Sequence, residues 1–144
     1  MTNNAELYKT GISKHLNARH YLEGDFGEES IPHSHPYRVE FICETGTLDK
    51  NGFSVDIAFL EDNAGEVLDN IDNVLLNDLP FFERKQPSLE NLCVYIWTTM
   101  QDIFKKAASS PDPDSTDENS LPQNMEIKIW ESETAWASFK APIQ

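Results

Sequence analysis

Four histidines fall within 21 residues of a 144-residue chain: His15, His20, His33 and His35. An imidazole is a metal ligand or a proton carrier near neutral pH. In "EESIPHSHPYRVEF", residues 28–41, His33 and His35 stand two apart, ahead of an alternating apolar run. Residues two apart on a strand point the same way, so these rings project together and can share one ion. His20 ends the preceding extended segment, and it faces the same point if the two segments pair as a hairpin. His15 lies five residues from His20, an odd number, and points to the other face. Three neutral imidazoles leaving one coordination position free are the ligand set of a catalytic zinc. Histidines at this spacing also occur on surfaces that hold no ion, and residue types alone leave both readings open.

The elements that must position these rings are legible as changes of period. Lys9 to Leu22 suits an extended segment. From Tyr37 to Leu48, Tyr37, Val39, Phe41 and Cys43 share one face and Arg38, Glu40, Ile42 and Glu44 the other, the pattern of a half-buried strand. "DKNG" (49–52) signals a turn, and "GFSVDI" reads as a short continuation of the strand. From Asp56 the offsets become three, four and seven: Ile57, Leu60, Ala64, Val67, Leu68 and Ile71 form one helical stripe. "NDLPFFERKQP" (77–87) reads as a connecting loop. A second helix carries Leu89, Leu92, Cys93, Ile96, Met100, Ile103, Phe104 and Ala107, with Ser88 as its N-cap after Pro87.

Residues 109–124, "SSPDPDSTDENSLPQN", are rich in Pro, Asp and Ser and read as a mobile loop or insertion within a single domain, 1–144. Two final strands follow, one with Met125, Ile127 and Ile129 on a face, the other with Ala135, Ala137 and Phe139. The order β-β-α-α-β-β predicts an α+β fold, an antiparallel sheet with two helices on one face.

Composition narrows the partners. Eleven basic against 25 acidic residues give a formal charge of −14, which repels phosphate backbones and anionic membranes; neither nucleic acid nor membrane is expected. Cys43 and Cys93 have no metal or disulfide spacing and read as buried free thiols. "MTNNAELYKTG" lacks a basic-then-apolar signal, and no apolar run approaches the roughly 20 residues of a membrane span, so the expected compartment is the cytoplasm.

Five ordered motifs carry a resemblance. "ARHYL" with "HSHPYRVEF" resembles the "AAHxL" and "HGHxY" signatures of the 6-pyruvoyltetrahydropterin synthase and 6-carboxytetrahydropterin synthase family. "GFSVDIAFLE", "IDNVLLNDL", "QPSLENLCVYIW" and "IKIWESETAWASF" are similar to the family's later segments, and together the matches cover residues 9–139. The resemblance implies the tunnelling fold, in which sheets of several protomers join into a barrel, usually a homohexamer of two trimers with active sites at subunit interfaces. It implies a Zn2+ ion held by His20, His33 and His35, and a pterin substrate whose ring is gripped by Glu131. Ser88 and Glu90 match the family's "PTxE" segment, where substrate contact and helix capping both fit Ser88.

The departures from the family are chemical. The family's catalytic cysteine lies four residues before the H-x-H pair; here that position is Glu29, beside Glu28. The aspartate of its aspartate–histidine dyad is present as Asp72, but Asn73 replaces the histidine, and an amide exchanges no proton near neutral pH. Ser34 stands where the family has glycine, and Pro36 follows. A glutamate can serve as general base without an imidazole partner. The expected function is a zinc-dependent pterin lyase acting on 7,8-dihydroneopterin or its triphosphate, with Glu29 as base and Asp72 assisting, in folate, queuosine or biopterin synthesis. The alternatives are a pterin-binding member without turnover and an oligomer braced by structural zinc. Lys14, Arg19 and Arg38 are the candidate holders of a triphosphate.

Overall fold

A computed structural model describes residues 6–109 and 121–144. Four strands, β1 (Tyr8–His20), β2 (His33–Thr45), β3 (Asn124–Trp130) and β4 (Trp136–Pro142), form one sheet in the order β1-β2-β3-β4. Every neighbouring pair is antiparallel. Between β2 and β3 lie two helices, α1 (Ile57–Asp69) and α2 (Leu89–Ser109). Both pack against the sheet, so the β-β-α-α-β-β order and the α+β class are those expected from the sequence.

The alternation in the strands explains which face the helices cover. Leu16 and Ala18 of β1, Tyr37, Val39, Phe41 and Cys43 of β2, and Met125, Ile127 and Ile129 of β3 are buried beneath them. The helices answer with Leu60, Ala64, Val67 and Leu68 from α1, and Leu92, Cys93, Ile96, Met100 and Phe104 from α2. Each such aliphatic or aromatic side chain contributes about 1.5–3 kcal/mol when fully removed from water. Trp97, outside the sequence-predicted stripe, is also buried; its indole N–H donates to the Met125 carbonyl at 2.7 Å and pins α2 to β3. Asp56 caps α1 by accepting from the Phe59 amide at 3.2 Å, and Ser88 caps α2 by accepting from the Asn91 amide at 3.1 Å.

On the helix-free face Glu44 is 1% exposed. Its carboxylate accepts from Asn124 and from Lys140, both at 3.0 Å, and lies 3.5 Å from the Lys9 ammonium. One buried acid thereby joins all four strands. Burial works to raise its pKa, but hydrogen bonds from Lys140 and Asn124 and the charges of Lys140 and Lys9 outweigh it and hold Glu44 below the usual carboxylate range.

Several sequence-predicted boundaries move. β1 stops at His20 rather than Leu22, and β2 spans His33–Thr45 rather than Tyr37–Leu48. "GFSVDI" is not a strand: Asp49 accepts from the Asn51 and Phe53 amides at 2.8 and 3.0 Å and folds the chain into a tight loop. Ile57 belongs to the apolar stripe yet is 41% exposed at the first position of α1. The 77–87 connection holds two short 3-10 turns, and Phe82 within it is buried. Of the expected 109–124 loop, residues 110–120 lie outside the described residues; Ser109 is helical, Leu121 packs on the core and Asn124 opens β3. Ala135 precedes β4. No helix among the described residues is long and apolar enough to cross a membrane.

Candidate metal centre

The site follows from the β1–β2 register, which sets His20 directly across from His33, with His35 two residues further along β2 on the same face. The three rings meet edge to face, their centroids 4.6 to 5.1 Å apart. The Nε2 atoms of His20 and His33 are 3.0 Å apart, as are those of His33 and His35. His15 is exposed on the opposite face and takes no part.

Backbone carbonyls fix the tautomers. His20 Nδ1 lies 2.7 Å from the Pro87 carbonyl oxygen, and His33 Nδ1 lies 2.7 Å from that of Ile31. A carbonyl only accepts, so each Nδ1 carries the proton and donates it. Each Nε2 then presents a lone pair to the centre of the cluster. Lone pairs crowded at this distance repel one another unless a cation lies between them. Tetrahedral zinc, with Zn–N near 2.0–2.1 Å, sets its ligand nitrogens about 3.4 Å apart, close to the spacing here. Carbonyls that hold the distal N–H of a ligating imidazole are also what such sites use to orient the ring. Burial, then the His20 and His33 imidazoles, hold His35 below its ordinary pKa against the opposing carboxylates of Glu131 and Glu29. All three rings therefore suit a divalent cation.

Glu29 completes the cluster. A 3-10 turn, Gly27–Ser30, carries it, and the Leu22 amide donates to the Glu29 carbonyl at 2.7 Å, closing the 21–32 loop beneath it. Its carboxylate lies 3.2 Å from His33 Nε2, and its side chain is 52% exposed. One donor atom from each of His20, Glu29, His33 and His35 falls within 4.8 Å of the other three. Glu131 sits in the β3–β4 turn, half-buried, its amide donating to the Ala135 carbonyl at 3.0 Å. It stands near enough for its charge to act on both His35 and Tyr37. Tyr37 adjoins His35, with ring centroids 5.4 Å apart; burial first and then Glu131 and Glu29 raise its pKa.

The other sequence-predicted residues are not brought to the cluster within this chain. Asp72 accepts from the Asn17 amide at 3.0 Å and from the Asn73 side chain at 3.2 Å, tying the end of α1 to β1. Asn73 adopts a left-handed φ of 60°, which asparagine tolerates better than most residues. The Ser88 hydroxyl caps α2. Arg19 and Arg38 lie on the helix-free face, Arg38 bonded to Glu40 at 3.1 Å and stacked on Trp130. Lys14 lies against Gly65 of α1.

Sequence reasoning missed the two orienting carbonyls, whose positions have no residue-type signal. It also missed Tyr37, although the period-two rule that joined His33 to His35 reaches it directly. Supporting amides were missed as well: Asn77 exchanges two hydrogen bonds with the Tyr21 backbone, and Gln86 does the same with Glu23.

The chain matches the family profile of 6-pyruvoyl tetrahydropterin synthase over residues 9–142. Among solved structures it is similar to the Caenorhabditis elegans 6-pyruvoyl tetrahydropterin synthase, with TM-score 0.73 and 19% identity, covering 97% of this chain and 99% of that one. The Plasmodium vivax 6-pyruvoyl tetrahydropterin synthase gives TM-score 0.71 at 15% identity, over 96% and 99% of the two chains. A variant of the Plasmodium vivax protein with a catalytic glutamate changed to alanine gives 0.70 at 17%, over 96% and 99%. At these identities the likeness is one of fold. No curated protein matches the chain by sequence.

Proposed function

The chain belongs to the 6-pyruvoyl tetrahydropterin synthase family, and on that premise we propose that it is a zinc-dependent lyase acting on the side chain of a 7,8-dihydropterin. The observation that carries this reading is the convergence of three Nε2 atoms, that of His33 lying 3.0 Å from each of the other two, beside a carboxylate 3.2 Å from it. His20, His33 and His35 would hold zinc. When bound, zinc supplies Lewis acidity, polarising a side-chain oxygen of the substrate and lowering the cost of removing a neighbouring proton.

Glu29 is the base that takes that proton. Its carboxylate stands over the cluster where the family's thiol stands in sequence, and the dyad histidine that such a thiol needs is absent as Asn73. A Plasmodium vivax relative likewise has a glutamate as a catalytic residue. Glu131 holds the ring: a carboxylate accepts two parallel hydrogen bonds from the pterin 2-amino group and the adjacent ring N–H. The assembly in this reading is a homohexamer with sites at its interfaces. Asp72 assists a neighbouring copy from its exposed turn, and Ser88 reaches substrate only at the cost of its capping bond.

The test is a product profile from 7,8-dihydroneopterin and its triphosphate, with zinc added and with zinc stripped. Zinc-dependent cleavage of either substrate is expected, and it should be lost in Glu29→Gln. If neither substrate is consumed while pterin binds tightly and Glu131→Ala abolishes that binding, the protein is a pterin-binding member without turnover.

A further inference from the structure

His33, His35 and Tyr37 stand in one row on the helix-covered face of β2, each two residues from the next. The Tyr37 ring lies beside that of His35, their centroids 5.4 Å apart. Across from Tyr37 on β1 is Leu16, which is buried. On the other side the β2–β3 register begins at Arg38 opposite Trp130, so the next residues across from one another are Tyr37 and Glu131. Tyr37 thus fills the corner between His35 and Glu131, the residues that take the two ends of the pterin in the lyase reading. All of these neighbours belong to one chain, and a second copy at the rim can add to them but not replace them.

The Tyr37 side chain is 1% exposed. Among the described residues its hydroxyl makes no hydrogen bond, yet none of their fully buried side-chain oxygens or nitrogens lacks a partner. The hydroxyl oxygen is therefore the point at which this otherwise enclosed ring opens on the site. A phenylalanine would pack the same space, so the oxygen serves something other than packing; a buried tyrosine O–H usually has a partner. A phenol keeps its proton until about pH 10, and near neutral pH this oxygen is a hydrogen-bond donor and not a base.

We propose, resting on the pterin-lyase reading, that the Tyr37 hydroxyl donates a hydrogen bond to the ring nitrogen beside the carbon that bears the substrate's side chain. A 7,8-dihydropterin gripped by Glu131 through its amino group and adjacent N–H turns its other end, with the side chain, toward the imidazoles. The ring nitrogen at that end is doubly bonded to the substituted carbon and carries a lone pair, so it accepts. When Glu29 takes the proton from the side-chain carbon attached to the ring, the C–H electron pair becomes a C=C bond to the ring and the C=N pair moves onto this nitrogen. The Tyr37 O–H stays intact, and its hydrogen bond strengthens as the negative charge grows. Such a contact lowers the barrier more than it tightens binding.

The test sets Tyr37→Phe beside the unaltered zinc-loaded full chain, with 7,8-dihydroneopterin and with its analogue in which that ring nitrogen is a C–H. The substitution removes one oxygen and keeps the ring. It should weaken equilibrium binding of 7,8-dihydroneopterin about 2–10-fold and leave binding of the analogue unchanged. The unaltered chain should bind the analogue more weakly by a similar factor. Turnover should suffer more, with kcat lowered roughly 10–100-fold while zinc content and oligomeric state stay the same. Equal losses for both compounds, or no loss for either, would overturn the inference and leave the lyase reading intact. A changed oligomeric state would also overturn it, by assigning the hydroxyl to a contact between copies. The expected binding pattern without turnover in the unaltered chain retains the inference and removes the lyase reading. Binding of neither compound by the unaltered chain removes both.

Discussion

At the residue scale, each member of the cluster has a separable job. Glu29→Gln keeps the shape of the side chain but cannot take a proton. It should lower kcat by about 10²–10⁴-fold while zinc content and pterin affinity change little, which metal analysis and binding measurements would establish. Parallel losses of zinc would make Glu29 a ligand and not a base. Glu131→Ala should instead raise KM and the pterin Kd, by an amount in keeping with about 1.5–3 kcal/mol for a hydrogen bond to a charged group. The histidine cluster was legible because two elementary periods coincide: same-face spacing within β2 and a hairpin register that sets His20 across from His33. The Pro87 and Ile31 carbonyls that fix the tautomers were not. A backbone oxygen is the same at every residue, and only the folded path says where it points.

At the scale of elements, the strands and helices were read from alternation and from the apolar stripe, and their centres fall where those patterns lie. Their ends were set by single side chains. Asp49 turned an expected strand into a loop by accepting two amides, and the Glu29 carbonyl closed the loop after His20. The Ser88 cap can be tested directly: Ser88→Ala should cost about 1 kcal/mol of stability, while Ser88→Asp should restore it. The Pro87 carbonyl that orients His20 adjoins this cap, so Ser88→Ala should also weaken zinc binding. A variant that loses stability yet holds zinc unchanged would separate the helix start from the metal centre.

At the scale of the whole molecule, the sheet is fastened at one end by the histidine cluster and towards the other by Glu44, which touches a residue on each remaining strand. Because Glu44 titrates below its unfolded value, its stabilisation is complete above the ordinary carboxylate range and drains away as pH falls through the lowered folded pKa. Glu44→Gln should cost about 1–3 kcal/mol near neutral pH and flatten the acid limb of the stability curve; an unchanged acid limb would assign that pH dependence to other carboxylates. What holds the candidate chemistry together is the claim that three imidazoles are preset for one cation. The most direct measurement is the zinc stoichiometry and affinity of the purified chain beside His33→Ala. One tightly held zinc per chain, lost in the variant without unfolding, is the predicted result; a chain that takes up no zinc, or one that keeps it unaltered in His33→Ala, would contradict it.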